Sequence, residues 1–455
     1  MKVDGITIAV ATGGEVVRDA PAGDVLTDTR SLGPGSWFLA LKGDRFDGHR
    51  FLEAAEAAGA VGCVVSEAVP GWTGGIVRVE DTTKALQDLG RHARSTWQCP
   101  VVGLTGSSGK TTTRALTALA LSPLGEVHQT KGNLNNHLGV PMTLLAGPVD
   151  PAAVVVEMGT SSPGEIGFLC DIAQPTVRLI VNVGPAHLEE LGGLDGVATE
   201  KGAIFATARA GDILCVNIDD PYVAAMPRPP GTCVVTWGRS DGAAVQLIDL
   251  EVDGEAMTAR ARYDVAGEQV EICLPTPAPH VALDAAGALA VALACGVDAR
   301  AAAAAMEGYA PVGMRLRVEE PLPGVTVLND AYNANPASMK AALSVLAGLP
   351  GRRVAVLGDM LELGPDELAW HRDVITAAEE SGLDLVVLAG ERMSTVAESV
   401  PPAGERWVTS PLEAGRRLAG WLRAGDRVLL KGSRGARVEQ VLLGMTGSAP
   451  AEADH

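Results

Sequence analysis

The segment 101–113 constrains the fold more than any other part of this chain. It reads VVGLTGSSGKTTT, the pattern of a buried strand, a loop of glycine and serine, and the start of a helix. Glycines let backbone N–H groups turn into such a loop, the helix N-terminus adds partial positive charge, and a lysine placed like Lys110 reaches the outer phosphates of a nucleotide. The hydroxyl of Thr111 can bind Mg²⁺. The segment therefore predicts a nucleotide-phosphate site in an α/β fold.

The loop is a shorter variant of the common GxxxxGK[ST] pattern, because Leu104 stands five residues before Gly109. A serine- and glycine-rich turn that merely precedes a lysine has a similar composition. The strand before the loop and the helix after it favour phosphate binding. The predicted loop residues are Thr105, Gly106, Ser107, Ser108, Gly109, Lys110, Thr111 and Thr112.

Composition limits the class of protein. A length of 455 residues predicts about three domains, and 47% hydrophobic with 20% charged residues is typical of a soluble globular protein. A net charge of −19 argues against a broad nucleic-acid surface. Seven cysteines without a CxxC pair favour reduced thiols over disulfides or a zinc site. An acid at position 4 argues against a signal peptide, and charges within 281–305 argue against a membrane span. A cytoplasmic protein is expected.

The order of predicted elements indicates three domains. Residues 1–98 contain short strands (61–66 and 76–79) and one clear helix (50–59). Strands then alternate with helices, which predicts a mostly parallel central sheet, until the hairpin signal Asp253-Gly254 and an alanine-rich helical segment at 280–306. From 313 the alternation resumes and predicts a second, smaller parallel sheet. We therefore predict an α/β protein with a small mixed N-terminal domain (1–98), a central P-loop ATPase domain (99–312) and a Rossmann-like C-terminal domain (313–455).

Two ionisable side chains, one acid and one base, lie where strands of the predicted central sheet end. Glu157 ends the strand that starts at 153, and His187 follows the strand 177–183. Because ligands bind at the carboxyl ends of parallel strands, both are candidates for a metal or phosphate site. Glu157 could also merely cap its strand, and a single histidine is usually structural.

Taken alone, Lys201 is predicted to be an ordinary lysine on the protein surface. If it is a ligand, its proton is an obstacle, since removing it at pH 7 from a group of pKa ~10.4 costs about 4.6 kcal/mol. A bare amine is therefore a poor ligand for Mg²⁺. Carbamylation by CO₂ would replace the cation by a carboxylate-like group.

The C-terminal region has two polar strand-to-helix junctions. One contains Asp330, Asn333 and Asn335, whose side chains suit ribose hydroxyls and peptide groups, although such residues are also common in turns. The other contains Lys431, Ser433 and Arg434, cations that suit a carboxylate or phosphate. The alternative to such a binding site is a helix whose first turn carries positive charge without binding a ligand.

Together these residues resemble the Mur ligase family, ATP-dependent amide-forming enzymes of peptidoglycan synthesis. The resemblance covers nearly the whole chain. It rests on the segments TDTR (27–30), PGSWF (34–38), ALKGDRFDGH (40–49), the phosphate loop, GNLNN (132–136), VP (140–141), EMG (157–159), NVGPAHLE (182–189), DAYNANP (330–336), GDMLELG (358–364) with His371, and KGSRG (431–435).

The resemblance implies an activity. The segments DAYNANP and GDMLELG indicate the member that joins D-alanyl-D-alanine to UDP-N-acetylmuramoyl-tripeptide through an acyl phosphate, with ATP and Mg²⁺. A relative that adds one amino acid, lysine or diaminopimelate, is the alternative within the family. A nucleotide-dependent binding or scaffold protein is the alternative outside it. We expect a monomer that has no nucleic-acid partner.

The resemblance also assigns site residues. Catalytic roles fall to Lys110, Glu157, His187 and Lys201, and the metal ligands would be Thr111, Glu157, His187 and Lys201 as its carbamate. Besides the loop, ATP would contact Asn135, His280, Arg315, Asp330 and Asn333. The UDP-sugar would contact Thr29, Arg30, Lys42, Gly43, Asp47, Gly48, His49 and Asn136. D-alanyl-D-alanine would contact Asn335, Lys431, Ser433 and Arg434.

The chain departs from the family pattern at a few positions. Relatives often show His-Asn-x-x-Asn-Ala where this chain has His280, Val281 and Asp284. An acid usually follows two residues after the special lysine, where this chain has Ala203.

Overall fold

The computed structural model describes residues 1–43 and 46–447. Asp44 and Arg45 of the segment 40–49, and residues 448–455 of the third predicted domain, lie outside the described residues. The chain forms two compact units. The first unit comprises Met1–Gly103, Leu124–Thr160 and Glu165–Val177, and the second comprises Leu104–Pro123, Ser161–Gly164 and the chain from Arg178 onward.

The N-terminal part of the first unit is a six-stranded sheet with helices. Its elements are β1 (Lys2–Val3), α1 (Gly5–Thr12), β2 (Glu15–Arg18), β3 (Gly23–Leu26), β4 (Trp37–Leu39), β5 (Lys42–Gly43), β6 (Phe46–Asp47), α2 (Leu52–Ala57), β7 (Gly62–Val65), β8 (Gly75–Arg78) and α3 (Thr82–Ser95). The sheet order is β1-β3-β4-β7-β8-β2, parallel in the middle and antiparallel at both edges. Strands β5 and β6 form a separate antiparallel pair.

Trp37 on β4 is fully buried, and its indole N–H donates to the carbonyl of Pro21 at 3.0 Å. Gly62 on the neighbouring strand lies so close that a Cβ there would be 2.4 Å from the Trp37 ring. Only glycine fits at that position.

The helices of this part differ from the sequence-based prediction. The predicted helix 50–59 is confirmed over a shorter range, because the 3-10 turn Gly48–Phe51 leads into α2 and α2 ends at Ala57. The prediction missed α3, which starts where the Asp81 carboxylate accepts hydrogen bonds from the N–H groups of Thr83 (2.7 Å) and Lys84 (3.1 Å).

The chain continues through residues 101–180 with further strands and helices: β9 (Val101–Thr105), α4 (Lys110–Leu121), β10 (Val127–Gln129), α5 (Gly139–Leu145), β11 (Ala153–Glu157), α6 (Glu165–Ala173) and β12 (Val177–Ile180). In the first unit the strands lie in the order β10-β11-β9, with β10 and β11 parallel. Helix α4 belongs to the second unit, as does β12 apart from its first residue.

The second unit continues with α7 (Leu188–Leu191), α8 (Leu194–Ala206), β13 (Ile213–Asn217), α9 (Pro221–Ala225), β14 (Cys233–Gly238), β15 (Val245–Asp253), β16 (Thr258–Val265), β17 (Glu268–Leu274), α10 (Pro279–Ala294) and α11 (Ala299–Met306). Strands β12 to β17 follow one another across the sheet. The parallel strands β13 to β15 give way to antiparallel β15 to β17, so the predicted hairpin is confirmed. The alanine-rich segment forms two helices rather than one, and both pack against α4.

The remainder of the second unit forms another layered sheet: β18 (Arg317–Leu322), β19 (Val325–Asp330), α12 (Pro336–Ala347), β20 (Arg353–Gly358), α13 (Glu367–Glu380), β21 (Leu385–Ala389), α14 (Glu391–Ala397), β22 (Glu405–Val408), α15 (Pro411–Trp421), β23 (Arg427–Lys431) and α16 (Gln440–Thr446). Its order is β18-β19-β23-β20-β21-β22, and every neighbouring pair is parallel except β18 with β19. The antiparallel edge strand β18 was not predicted. Asp330 and Lys431 therefore end adjacent parallel strands at one edge of the sheet.

The predicted α/β class is confirmed. Among the described residues, none of the helices combines the length and the apolar character that a membrane crossing requires.

Candidate functional site

The phosphate loop joins the end of β9 to the start of α4. Gly109 is the last loop residue and has φ +76°, a left-handed conformation that favours glycine. It offers no side chain to cap the first N–H groups of α4, which is the arrangement of a helix N-terminus that receives an anion. The predicted strand, loop and helix all form here, with α4 starting at Lys110.

Neighbouring residues hold the loop open in this shape. The N–H of Ser107 donates to the carbonyl of Asn182 (3.1 Å), and the N–H of Ser108 donates to the Asn182 side-chain oxygen (3.0 Å). The hydroxyl of Ser107 donates to the carbonyl of Gly184 at 2.8 Å. Asn182 was noted only as part of the segment 182–189, and its position just after β12 was the signal that could have identified it.

The side chain of Lys110 bends back over the loop. Its Nζ donates to the carbonyl of Gly106 at 2.7 Å, which places the ammonium group above the glycines that would surround the phosphates. The next residue, Thr111, is 5% exposed, and its hydroxyl lies in the first turn of α4. Both residues thus lie in the first turn of α4, and their predicted contacts with phosphate and Mg²⁺ stay predictions.

Lys201 on α8 is a buried lysine, not a surface one. It is 2% exposed, and the charge of the neighbouring Glu200 acts on its ammonium group. Burial, together with the charge of Lys110, lowers the pKa of Lys201 to about 7. The structure therefore places two cationic side chains close enough to repel each other.

His187 also lies in the second unit, near enough to Lys110 and Lys201 for their charges to act on it. Burial lowers its pKa, the nearby charges of Lys110 and Lys201 lower it further, and Glu362 opposes them. The His187 Nδ1 lies 2.9 Å from Oε2 of Glu362. Both residues have left-handed backbones, at φ +51° and +63°, an uncommon conformation for residues other than glycine that is often found at functional sites. Glu362 was not predicted as a site residue, although its segment GDMLELG was noted.

Glu157 and Asn135, two predicted site residues, meet in the first unit. Glu157 is 2% exposed at the end of β11, and the Asn135 side-chain amide donates to its Oε1 at 2.9 Å. The backbone N–H of Glu157 donates to the hydroxyl of Thr130 at 3.0 Å. The amide thus fixes the orientation of the carboxylate.

Asn136 has a local structural role. Its side-chain oxygen accepts from the N–H groups of Leu138 (3.1 Å) and Gly139 (2.9 Å) at the start of α5. This leaves only the side-chain NH₂ group of Asn136 for a contact with a substrate. Its predicted contact with the UDP-sugar stays a prediction.

The other predicted UDP-sugar residues also lie in the first unit, and one of them is a histidine whose ring is held by hydrogen bonds on both sides. The His49 Nδ1 lies 2.7 Å from the Asp47 carboxylate, and its Nε2 accepts from the N–H of Ser66 at 3.1 Å, which assigns the proton to Nδ1. The hydrogen bonds from His49 lower the pKa of Asp47.

The remaining members of this set are more open. The Arg30 side chain is 89% exposed and pairs with Asp28 at 2.6 Å, and Lys42 pairs with Glu67. Thr29 is half-buried, Gly43 is exposed, and Gly48 is buried and packs against the backbone of residues 40 and 41.

Residues assigned to two different substrates meet at the edge of the C-terminal sheet. The Lys431 Nζ lies 2.5 Å from the Asp330 carboxylate and donates to the carbonyl of Asn333 at 3.2 Å. Burial lowers the pKa of His280, and the charges of Asp330 and Lys431 act on the same imidazole in opposite directions. The predicted ATP residues Asp330, Asn333 and His280 therefore surround a lysine that was assigned to the dipeptide.

Four further predicted residues lie near this edge. The Arg315 guanidinium stacks 3.7 Å from the centre of the Tyr332 ring. Asn335 caps α12, since its side-chain oxygen accepts from the N–H of Ser338 at 2.8 Å. Ser433 is buried and accepts from the N–H of Leu361 at 3.0 Å. Arg434 is half-exposed and pairs with Glu439 at 2.9 Å.

Within residues 1–43 and 46–447, no group of three or more His, Cys, Asp or Glu side chains forms a ready cation site. Mg²⁺ usually keeps several waters and binds through one or two carboxylates and substrate phosphates. The Thr111 hydroxyl and the Glu157 carboxylate held by Asn135 are oxygen donors of the kind that Mg²⁺ prefers.

Three models of the Mur ligase family match successive parts of the chain. They are described as the Mur ligase family catalytic domain (residues 24–94), the Mur ligase middle domain (104–292) and the Mur ligase glutamate ligase domain (314–434).

Similar proteins cover nearly the full length. The chain is 33% identical to the UDP-N-acetylmuramoyl-tripeptide–D-alanyl-D-alanine ligase of Bacillus subtilis over 92% of both chains. It is 35% identical to the enzyme of the same name from Escherichia coli over 94% of both chains.

Solved structures agree. A crystal structure of MurF from Acinetobacter baumannii matches with a TM-score of 0.89 at 30% identity, over 98% of this chain and 99% of that chain. MurF ligase from Thermotoga maritima in complex with ADP matches with a TM-score of 0.83 at 28% identity, over 93% and 97%. The predicted three-domain α/β fold is thereby confirmed, and the boundaries 1–98, 99–312 and 313–455 stay predictions.

Proposed function

The chain belongs to the Mur ligase family, and we propose that it joins D-alanyl-D-alanine to UDP-N-acetylmuramoyl-tripeptide with conversion of ATP to ADP and phosphate. The observation that carries this proposal is similarity along nearly the whole chain to ligases named for that reaction, at 33% and 35% identity. The preformed phosphate loop with Lys110 supports the use of ATP.

The alternative of adding a single amino acid is not favoured. The ligase that adds 2,6-diaminopimelate to UDP-N-acetylmuramoyl-L-alanyl-D-glutamate has the same fold, but it matches with a TM-score of only 0.55 at 16% identity. The corresponding values for Acinetobacter baumannii MurF are 0.89 and 30%. All four residues with a predicted catalytic role, Lys110, Glu157, His187 and Lys201, are present in the chain, which favours catalysis over a scaffold role.

The reaction has two steps. The carboxylate that ends the tripeptide attacks the γ-phosphorus of ATP, the bond to the bridging oxygen breaks, and ADP leaves an acyl phosphate behind. The amine of D-alanyl-D-alanine then attacks the acyl carbon, phosphate leaves, and the amine proton passes to solvent. Lys110 and the N-terminus of α4 reduce the repulsion between the carboxylate and the triphosphate.

A strong protein base is not required in the second step. An α-amine has a pKa near ~8, so freeing it at pH 7 costs about 1.4 kcal/mol. The larger demand is to position two anionic substrates and to keep water from the acyl phosphate. We assign the carboxylate of D-alanyl-D-alanine to Arg434 and Lys431, with Asn335 and Ser433 as neighbours, and the ribose and adenine of ATP to Asp330, Asn333, His280 and Arg315.

The metal residues proposed from the family pattern are Thr111, Glu157, His187 and Lys201. Bound Mg²⁺ would neutralise phosphate charge during the transfer. Lys201 fits this role only as a carbamate, because a bare amine is a poor ligand for a hard cation. Its burial supports the modification, because burial lowers the pKa of Lys201 to about 7 and an amine must lose its proton before it can add CO₂.

The test of this function is an acceptor comparison. We expect purified protein with ATP, Mg²⁺ and UDP-N-acetylmuramoyl-tripeptide to release phosphate when D-alanyl-D-alanine is added, because only then can the acyl phosphate be consumed. With UDP-N-acetylmuramoyl-dipeptide and lysine or diaminopimelate, we expect release at background. Turnover with the single amino acids would favour the alternative, and ATP turnover that requires neither substrate would argue against a ligase.

The first unit should control affinity for the UDP-sugar alone. We expect His49→Ala or Arg30→Ala to raise the KM for UDP-N-acetylmuramoyl-tripeptide about tenfold, the effect of one lost hydrogen bond to a charged group. The KM for ATP should stay within about twofold. Steady-state kinetics with each substrate varied in turn measures both.

The matched control is Arg78→Ala. Arg78 is also an exposed arginine of the first unit that pairs with an acid, Glu15 at 3.0 Å, but it lies outside the predicted UDP-sugar residues. Equal effects of the Arg30 and Arg78 substitutions would contradict the assignment.

A further inference from the structure

The segment GDMLELG (358–364) and His371 carry part of the family resemblance, but the proposed function gives them no role. The segment starts with the last residue of β20, and the parallel strand beside β20 is β23, in the register that pairs Leu357 with Lys431. His371 lies on α13, which begins at Glu367 after the segment. The segment thus lies at the end of the sheet where the proposed dipeptide residues lie.

His371 is fully buried, and its two hydrogen bonds fix the position of its proton. The ring Nδ1 lies 2.6 Å from the backbone carbonyl of Glu367, which can only accept, so Nδ1 carries a proton. The ring Nε2 accepts from the backbone N–H of Met360 at 2.9 Å, so Nε2 carries none. His371 is therefore a neutral imidazole that joins the first turn of α13 to the segment 358–364.

The surroundings of His371 agree with the neutral form. Burial lowers its pKa. The hydrogen bond to the Glu367 carbonyl and the carboxylates of Asp359 and Glu367 oppose this effect, and the charge of Arg392 adds to it. A protonated ring would also direct an N–H at the N–H of Met360, two donors with no acceptor between them. The contact with Met360 therefore requires the neutral ring.

The residues on either side of Met360 are hydrogen-bonded to Ser433. The N–H of Ser433 donates to the carbonyl of Asp359 at 3.0 Å, and the Ser433 hydroxyl accepts from the N–H of Leu361 at 3.0 Å. Ser433 is 3% exposed, and Arg434 follows it as the first residue of a 3-10 turn. Residues 359–361 therefore fix the backbone from which the Arg434 side chain extends.

We propose that His371 is a positioning residue for D-alanyl-D-alanine: it holds Met360, and residues 359 and 361 in turn hold Ser433 and so set where Arg434 meets the dipeptide carboxylate. The inference rests on the proposed function, in which Ser433 and Arg434 serve the dipeptide. Its effect should fall on the dipeptide rather than on the phosphates of ATP, because the phosphate loop follows β9, a strand of a different sheet.

Substitutions that remove or keep an acceptor at the position of Nε2 test the proposal. We expect His371→Leu, which has a similar volume and no polar atom, to raise the KM for D-alanyl-D-alanine about tenfold, the effect of one lost buried hydrogen bond. His371→Asn should do the same, because its amide can replace Nδ1 but is too short to reach Met360. His371→Gln should stay within about threefold of the wild type, because its longer amide can accept from the Met360 N–H. The KM for ATP should stay within about twofold in all three variants.

A control and a spectrum separate positioning from a general loss of stability. His128→Leu is the matched control, since His128 in the first unit also contacts a backbone carbonyl, that of Thr143 at 2.7 Å, and burial lowers its pKa as well. Its KM for D-alanyl-D-alanine should stay within about twofold of the wild type. In NMR spectra of protein with ¹⁵N-labelled histidine at neutral pH, the ring signals that His371→Gln lacks should be those of a neutral imidazole protonated at Nδ1.

Four outcomes would overturn the proposal: an unchanged KM for D-alanyl-D-alanine in His371→Leu, an equal rise in the KM for ATP, equal effects of the Asn and Gln variants, or ring signals of a charged or Nε2-protonated imidazole. If His371→Leu does not fold, the Asn and Gln variants and the spectrum still decide. Wild-type protein that turns over ATP but does not use D-alanyl-D-alanine would contradict the proposed function and this inference together. Wild-type protein that ligates, with variants that keep its KM values, would contradict this inference alone.

Discussion

Lys110→Ala should lose ligase activity by about 10³-fold or more while the protein stays folded, the order of loss seen when one preorganised electrostatic group is removed from a transition state. The side chain already lies over the loop through its hydrogen bond to Gly106. Its charge is needed when a carboxylate approaches a triphosphate, so the loss should fall on kcat. Phosphate release with all substrates saturating measures it, and circular dichroism checks the fold.

Two variants make this result specific. Lys110→Arg keeps the charge but cannot place it identically, because a planar guanidinium does not replace a compact ammonium group, and it should also be strongly impaired. Lys84→Ala is the matched control, since Lys84 is an exposed lysine of α3 that pairs with Asp88 outside the site. Its activity should equal that of the wild type. A Lys110→Ala enzyme with more than a tenth of normal activity would refute the phosphate role.

The sequence predicted those features that depend on neighbours in the chain. The phosphate loop is one: its strand, glycines and helix start are contiguous, so their geometry follows from local preferences. The parallel strands of the C-terminal sheet are another, since buried strands alternating with helices allow few other arrangements. The positions of Asp330 and Lys431 at strand ends thus follow from the sequence pattern alone.

Features that depend on partners distant in the chain were missed. The pairing of Asn182 with the loop, the contact of Glu362 with His187 and the hydrogen bond between Leu361 and Ser433 each join residues more than 70 positions apart. No spacing or periodicity encodes such contacts. The burial of Lys201 was missed for the same reason. Lysines are mostly exposed, so a lysine in a helix is predicted to be exposed unless the packing of that helix is known.

Lys201→Ala should be nearly inactive, with a loss of about 10³-fold, and should be partly rescued by a short carboxylic acid. Lys201 is 2% exposed, so truncation leaves a buried space where its side chain ended. If the working group is a carbamate, acetate or propionate entering that space supplies an equivalent carboxylate. Ligase activity is measured against acid concentration, with chloride at the same ionic strength as the comparison.

The rescue separates a carbamate from a lysine that acts as a cation. A cation would be replaced by a short amine, so methylammonium or ethylammonium should restore Lys201→Ala in that case and the carboxylic acids should not. Lys340→Ala, which removes a half-exposed lysine paired with Asp373, controls for a general effect of the added acid and should respond to neither. Wild-type enzyme prepared without CO₂ should regain activity on addition of bicarbonate. Full activity of Lys201→Ala without any additive would exclude the carbamate, and rescue by amines alone would assign Lys201 a cationic role.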